Sequence, residues 1–340
     1  MKARRIAALV VAAALTAVMG VSGCGSVNPT ATVATLNGKA ISAGLANFMA
    51  QMQAAEYDTY YIQYYGANMW TEKDEDDGTT MTDVVREDVC DTLKSRYLLE
   101  EHMGDYGVTV SDAELKEIET AAKEFMTENK EEALKQMGAT EDIVKEYLRT
   151  ILIEKKMETA IRDKADTNVS DEESAMRTFS YYSVTMPTAD DDTAEADPQD
   201  VEALAEQVAA MAQTDFDGVQ DTFGQTQSSY SYGKDETGFA DEVIKAADQL
   251  SEGEVSGVIK TEDNAFYVIR LDSEDDEAAR ADKKESIIEQ RKVDLYQEVT
   301  EGYDKDAEWT VNDQVLKTIT MHKHYFQITF DEEETEAATE

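Results

Sequence analysis

FADEVIKAADQLSEGEVSGVIKTEDNAFYVIRL, residues 239–271, carries the clearest secondary-structure pattern in the second half of this chain. Apolar residues recur on one face of its first third, as in a short amphipathic helix: Val243, Ala246, Ala247 and Leu250. Residues 251–254 are polar and predict a turn, in which Gly253 can adopt a positive φ. Residues 255–260 and 265–271 alternate like two paired strands. The pattern therefore predicts a helix, a turn and a hairpin.

The same stretch is similar to the second half of a parvulin-type peptidyl-prolyl isomerase domain. Residues 250–261 (LSEGEVSGVIKT) resemble the turn and first hairpin strand of that domain, and residues 265–271 (AFYVIRL) resemble its last strand. The resemblance implies a parvulin-like α+β domain over residues 171–275. It also implies that Phe239 and Val243 occupy the positions that line the pocket for the substrate proline.

The N-terminus has the layout of a secretory leader. Three basic residues, Lys2, Arg4 and Arg5, precede an apolar stretch that is shorter than the roughly 18–20 residues of a spanning helix. The stretch ends in VSGC, residues 21–24, which resembles the lipobox of bacterial lipoproteins. This resemblance implies removal of residues 1–23, diacylglyceryl attachment to Cys24 and a short tether, residues 24–32. We therefore expect a body anchored by lipid at the extracytoplasmic face of the cell membrane; an ordinary leader with an unrelated cysteine is the alternative.

Residues 33–170 have the pattern of a helical domain. VATLNGKAISAGLANFMAQMQ, residues 33–53, predicts a strand, an Asn-Gly turn and a helix, and it resembles the opening of the PrsA/SurA group of extracytoplasmic chaperones. The resemblance implies an α+β protein: a mostly helical SurA-like chaperone domain, completed by a C-terminal helix and segment at residues 276–320, with the parvulin-like domain inserted. Residues 321–340 then form an acidic tail.

Five tyrosines follow one face of a predicted helix: Tyr57, Tyr60, Tyr61, Tyr64 and Tyr65. One interpretation makes the first four a substrate-binding surface, because rigid amphipathic rings give contact area at low entropic cost. The other interpretation, which we favour, is that the rings pack on neighbouring helices with their hydroxyls at the rim.

The parvulin-like domain lacks the two pocket histidines that are typical of the parvulins it resembles. Parvulins pair two histidines in the pocket, but the three histidines of this chain, at positions 102, 322 and 324, all lie outside residues 179–272. The final-strand position falls on Tyr267, and the first-strand position falls near Tyr182 or Ser183. Tyr182 and Tyr267 could offer hydroxyls in place of imidazoles and are the candidate catalytic residues. The alternative, which we favour, is that they are structural tyrosines of the strands.

Composition limits the partners. The formal net charge of −42 excludes nucleic acid, because phosphate binding needs a basic surface. We expect no cofactor and no metal site: His322 and His324 would offer two ligands without a third. Cys90, the other cysteine besides Cys24, lies in an apolar helical run and is expected to be buried.

The leading hypothesis from the sequence is a membrane-anchored extracytoplasmic chaperone or foldase that binds unfolded or nascent secreted proteins after translocation. Two alternatives stay open. One is an active parvulin-type prolyl isomerase with a non-histidine pocket, and the other is a ligand-binding or structural surface lipoprotein. The identity of the clients and the formation of a homodimer also stay open.

Overall fold

The chain divides into two compact units. Unit 1 combines residues 1–164 with residues 293–340, and unit 2 is the continuous stretch 165–292. The computed structural model describes residues 14–18, 27–185, 198–234, 238–321 and 325–329. Helices and small antiparallel sheets occur in both units, which confirms the predicted α+β class.

Helices make up most of the described part of unit 1, and four of the five are 17 residues or longer. They are α1 (Ala43–Tyr65), α2 (Met81–Glu101), α3 (Asp112–Glu128), α4 (Glu131–Met137) and α5 (Glu141–Arg162), with 3-10 turns at Ala67–Trp70 and Met103–Tyr106. A hydroxyl caps the start of four of these helices by accepting a backbone N–H bond from the first turn: Ser42, Thr80, Ser111 and Thr140. These caps satisfy donors that a helix N-terminus otherwise leaves unpaired, so the sequence itself sets where the helices begin.

A three-stranded sheet joins the two ends of unit 1. Strands β2 (Thr32–Leu36) and β3 (Lys39–Ser42) form a hairpin whose turn residues, Asn37 and Gly38, both have positive φ. On the other edge of β2 lies β8 (Trp309–Val311), antiparallel to it. The C-terminal part of the chain therefore completes a sheet that the N-terminal part begins.

A second, two-stranded sheet pairs β1 (Ala14–Val18) with β9 (Tyr325–Thr329) in antiparallel register. The sequence assigns the first stretch to the leader and the second to the acidic tail. For residues 325–329 the tail prediction is corrected, because these residues form a strand that lies along α1. The physical reason is apolar: Phe326 is buried, and Ile328 packs against the same cluster of side chains.

Helix α9 (Glu277–Asp306) begins in unit 2 and ends in unit 1. In unit 1 its apolar residues pack against Leu99 of α2 and three residues of α5, and they are Leu295, Tyr296, Val299 and Tyr303. Tyr303 also stacks on His102, with ring centroids 3.6 Å apart. The short helix α10 (Asp313–Leu316) follows β8.

Unit 2 is built on a four-stranded antiparallel sheet. Its strands are β4 (Arg177–Val184), β5 (Gln227–Tyr232), β6 (Ile259–Lys260) and β7 (Phe266–Ser273), in the order β5-β4-β7-β6. Helices α6 (Pro198–Ala212) and α7 (Val219–Phe223) pack on one face, and α8 (Asp241–Gln249) packs on the other.

Two parts of unit 2 differ from the sequence-based expectation. Strand β5 lies in a stretch that the sequence indicates to be irregular, because serine-rich QSSYSY carries little apolar signal for an edge strand. The hairpin strand expected at residues 255–260 is reduced to Ile259–Lys260 and a bridge between Val255 and Arg270. The hydroxyl of Ser256 there accepts the N–H of Ile269, in place of a backbone carbonyl.

Candidate functional site

Four aromatic rings surround Phe239 on the α8 face of the unit 2 sheet. The ring of Phe239 lies 4.9 Å from Tyr181, 4.9 Å from Tyr230, 5.4 Å from Phe179 and 5.5 Å from Tyr267, between centroids. Three of these contacts are edge-on, which is the favourable arrangement for aromatic pairs. We call these five residues the Phe239 cluster.

Strand alternation places the cluster on one face of the sheet. Phe179 and Tyr181 are two residues apart on β4, so both side chains leave the same face. The register sets Tyr230 of β5 opposite Phe179. On β7, Tyr267 shares a face with Ile269, the residue opposite Tyr181. Three strands thus converge their rings on Phe239, which precedes α8.

Gly238 allows the cluster to close. A Cβ atom added at this position would lie 2.6 Å from the hydroxyl of Tyr230. A side chain at position 238 would therefore require the ring of Tyr230 to move away from its place in the cluster.

The chemistry of the Phe239 cluster is that of an aromatic surface with hydroxyl groups. Phe179 is buried, and the other four rings are half-buried. Among the residues that the structure describes, none is hydrogen-bonded to the hydroxyls of Tyr181, Tyr230 or Tyr267. Such a surface can stack on a proline ring or on other apolar groups and can exchange hydrogen bonds with a peptide backbone. Histidine is absent from it, as the sequence requires.

The structure does not bring the two candidate catalytic tyrosines together. Tyr182 points to the opposite face of the sheet, where it is fully buried against Phe216. Its hydroxyl donates to the Phe216 carbonyl at 2.8 Å and lies 3.1 Å from Oε1 of Gln227. Burial raises the pKa of Tyr182, with a further contribution from nearby Asp217. The neighbour of Tyr267 is instead Tyr181, with ring centroids 6.1 Å apart.

Three members of the cluster were not identified from the sequence: the buried Phe179 and the half-buried Tyr181 and Tyr230. The spacing of Tyr181 from Phe179 is the signal that could have found these two, since alternate residues of a strand share a face. Tyr230 gives no comparable signal, because its strand is not evident from the sequence. Val243, a pocket candidate from the resemblance, is fully buried beneath the cluster with Ala247 and is not part of its surface.

The five tyrosines of α1 divide into one packed residue and four exposed ones. Tyr57 packs on the core of unit 1, with its ring edge-on to Trp70 at 5.9 Å. The others remain accessible, with exposed fractions of 47%, 46%, 76% and 70% for Tyr60, Tyr61, Tyr64 and Tyr65. Their rings follow one another along the helix, since Tyr61 lies between Tyr57 and Tyr65 at 5.7 Å and 6.4 Å. The packing interpretation therefore describes Tyr57 alone.

Several predicted features lie outside the described residues or give no site within them. Cys24, His322 and His324 fall outside the part of the chain that the structure describes. Within that part, no group of three or more His, Cys, Asp or Glu side chains could hold a metal ion. None of the described helices is long and apolar enough to cross a membrane.

Comparison with known proteins assigns both parts of the chain. The model of the SurA-like N-terminal domain matches residues 2–158, and the model of the PPIC-type PPIASE domain matches residues 170–282. Foldase protein PrsA of Streptococcus equi subsp. zooepidemicus is 26% identical over 184 residues, which are 51% of this chain and 53% of that protein. The chain thus spans about half the length of the curated relatives it matches.

Two solved structures are also similar. The foldase protein PrsA from Lactococcus lactis is 15% identical, covers 86% of this chain and 100% of its own, and has a TM-score of 0.35. A SurA-like chaperone structure from Campylobacter jejuni, described with PEB4 and Cj1289, is 12% identical over 83% and 99% of the two chains, with a TM-score of 0.32. On its two matched domains, this chain is of the PrsA/SurA type, with a SurA-like N-terminal domain and a parvulin domain.

Proposed function

We propose that this protein is a lipid-anchored extracytoplasmic chaperone that holds unfolded secreted polypeptides through two aromatic surfaces. Its similarity to foldases of the PrsA/SurA type supports the general role. The Phe239 cluster is the observation that carries the proposal, because it offers rings without imidazoles. Its parvulin domain then serves as a binding surface for apolar and proline-containing segments.

The exposed tyrosines of α1 are the second proposed contact surface. Tyr60, Tyr61, Tyr64 and Tyr65 expose large rings on the body of unit 1. Exposed aromatic groups in a row are the kind of surface that marks an interaction site. Each ring offers apolar area and a hydroxyl, so it can contact many different unfolded sequences.

The location of the protein is part of the proposal. Lipidation of Cys24 would tether the body outside the cytoplasm, where two or more acyl chains give stable anchoring. The acidic body would be repelled by anionic lipid headgroups, so it would stand away from the membrane surface. Clients would meet it there after translocation.

Suppression of aggregation tests the chaperone role. The chain from Ser26 onward is mixed with reduced α-lactalbumin, an acidic secreted protein whose charge avoids trivial attraction, and light scattering is followed. We expect suppression at near-stoichiometric ratio. Tyr64→Ser combined with Tyr65→Ser should weaken it several-fold, while the ring-preserving pair Tyr64→Phe and Tyr65→Phe should not. No suppression at severalfold excess of the wild-type chain would overturn the proposal.

A prolyl isomerase is the second candidate, favoured by the proximity of the Tyr181 and Tyr267 rings. Hydroxyls at these positions could stabilise the twisted amide, whose formation sets a barrier of roughly 18–20 kcal/mol. NMR exchange on an Ala-Pro peptide tests this candidate with the same chain, since uncatalysed exchange takes tens of seconds. Acceleration that Tyr267→Phe removes would establish an enzyme. If the folded wild-type chain does not accelerate the exchange, the Phe239 cluster acts as a binding surface only.

A further inference from the structure

Strand β9 has one edge satisfied by α1 and one edge satisfied by residues of the predicted leader. On the first edge, the N–H of Phe326 donates to Oδ2 of Asp58 and the N–H of Ile328 donates to Oγ1 of Thr59, both at 2.9 Å. On the second edge, β9 pairs with residues 14–18 at all five positions. No other strand of the described residues pairs with β9.

The direction of the backbone groups follows from these bonds. Successive residues of a strand point their N–H and C=O groups to opposite sides. Since residues 326 and 328 point toward α1, residues 325, 327 and 329 point toward β1. In the register Gln327 faces Thr16, so these two residues form the central hydrogen-bonded pair.

Contacts with unit 1 hold β9 independently of β1. Phe326 is buried in the cluster that includes Phe48 and Phe125, and Ile328 packs against the same cluster. Together with the two bonds to α1, these contacts fix the strand on the helices. The strand therefore keeps its place whether or not its outer edge is occupied.

Removal of the predicted leader would open this edge. Residues 14–18 lie within residues 1–23, so cleavage would take away the partner of β9. The backbone groups of residues 327 and 329 would then lose their partners in β1, and an unpaired strand edge is a template for another extended segment. We infer that the open edge of β9 binds an extended, uncharged, apolar segment of an unfolded secreted polypeptide by strand addition. This inference rests on the proposed function, because it gives the same clients a third contact.

The segment seated on β9 defines the chemistry of the occupant. ALTAV, residues 14–18, carries no charge, and its Thr16 and Val18 are β-branched, which favours the extended conformation. Main-chain hydrogen bonds supply the affinity in strand addition, so the sequence requirement is loose. A protein that binds many different secreted chains requires such a loose dependence on sequence.

Peptides of the leader sequence test the inference. A fluorescent peptide of residues 12–20 with Gly-Ser ends is titrated into the chain from Ser26 onward, and its anisotropy is followed. We expect saturable binding. A Thr16→Pro peptide, which loses the N–H that faces β9, should bind at least tenfold more weakly. An Ala17→Pro peptide, whose lost N–H faces away, is the matched control and should bind within about threefold of the parent.

A matched pair of variants tests the strand itself. Gln327→Pro removes the N–H that faces the peptide and leaves those of Phe326 and Ile328 in place, so the peptide should bind at least tenfold more weakly. The Gln327→Ala variant keeps the N–H and should bind the peptide with the affinity of the wild-type chain. Both variants should match the wild-type circular dichroism spectrum, and the proline peptides remain decisive if Gln327→Pro unfolds.

Each outcome separates this inference from the proposed function. Weak binding of both Gln327→Pro and the Thr16→Pro peptide, with reduced suppression of α-lactalbumin aggregation by Gln327→Pro, supports the inference. Suppression by the wild-type chain without binding of the peptide overturns the inference alone, as does equal binding of the two proline peptides. Peptide binding without suppression overturns the proposed function and the client role of this edge together. A wild-type dimer that Gln327→Pro dissociates overturns the client assignment in favour of a second copy.

Discussion

Trp70 donates its indole N–H to the carboxylate of Asp58 across 2.8 Å, in the interior of unit 1. The other oxygen of the same carboxylate accepts the N–H of Phe326 in β9. One buried side chain of α1 therefore ties the 3-10 turn that follows this helix to the strand at the far end of the chain. Asp58 is accessible over only 1% of its surface.

Asp58 should make the stability of unit 1 depend on pH. Burial raises its pKa to about 6, against the opposing effect of the two N–H donors. Between the ordinary pKa of 3.8 and about 6, the folded chain then binds more protons than the unfolded chain, so the stabilising contribution of Asp58 declines as pH rises. Relative to Asp58→Asn, the wild-type free energy of unfolding should fall by about 2 kcal/mol from pH 4 to pH 6.5.

Tryptophan fluorescence can measure this difference, since both tryptophans of the chain, Trp70 and Trp309, lie in unit 1. Comparison of the two proteins at each pH cancels the effect of the other carboxylates. A difference that stays constant across the window would contradict the raised pKa.

Arg86 should hold the C-terminal segment on α2. Its guanidinium donates to the carbonyls of Lys317 and Ile319, at distances down to 2.6 Å, and it is mostly buried. Because charged hydrogen bonds contribute more than neutral ones, Arg86→Met should lower the free energy of unfolding of unit 1 by about 2 kcal/mol. Lys123→Met, which breaks an exposed pair with Glu119, is the control and should cost under about 0.5 kcal/mol. Equal effects in urea titrations would refute the role given to Arg86.

Cys90 should be inert in the folded chain. Burial raises the pKa of its thiol to about 11, and the nearby carboxylate of Asp91 adds to this effect. In the chain from Ser26 onward it is the single cysteine, so reaction with a disulfide reagent at pH 8 reports on it alone. We expect labelling at least about 100-fold slower in buffer than in denaturant, since the thiolate is the reactive species. Rapid stoichiometric labelling of the native chain would show that this site opens.

Loss of the hydroxyl group should destabilise unit 2 at Tyr182 but hardly at Tyr267. Tyr182→Phe leaves the Phe216 carbonyl without its donor and should destabilise unit 2 by about 1–2 kcal/mol, as measured by calorimetry. Tyr267→Phe removes a hydroxyl that bonds to no described residue and should cost under about 0.5 kcal/mol. If Tyr267→Phe proves the more destabilising of the two, the assignment of these hydroxyls is wrong.

The sequence predicts the architecture of unit 2 better than the membership of its aromatic cluster. Phe239 and Tyr267 follow from the turn and hairpin that surround them. Tyr181 and Tyr182 are adjacent, and a shift of one residue moves a side chain to the other face of a sheet. The sequence alone does not state which of the two faces α8, because that depends on the strands that pair with β4. Tyr230 depends in addition on a serine-rich edge strand.

Long-range partners explain what the sequence leaves open in unit 1. Asp58 lies in a tyrosine-rich helix, and nothing near it in the sequence indicates burial. It is buried because the indole N–H of Trp70 and the backbone N–H of Phe326 donate to its carboxylate. Residues 325–329 border an acidic run and acquire a role only when α1 accepts their N–H groups. Local features are easier to predict: Ser111 and Glu114 follow the S-x-x-E pattern of a capping box, and the box is present because its partners lie within one turn of helix.

Insertion of unit 2 within unit 1 sets the order in which a chain that emerges from its N-terminus can become compact. The parvulin domain is complete once residue 292 has appeared. Strand β2 cannot pair with β8 until residues 309–311 have followed. The side chain of Asn37 likewise gains its donor, the N–H of Glu308, only 271 residues later. Ile319 and Met321, both fully buried, join the core of the helices later still, and Phe326 of β9 follows them. Since domains generally fold as units while they are produced, the helical domain should be the late-maturing part of this protein. A nascent chain stalled before residue 309 would carry a finished parvulin domain beside helices that cannot yet close.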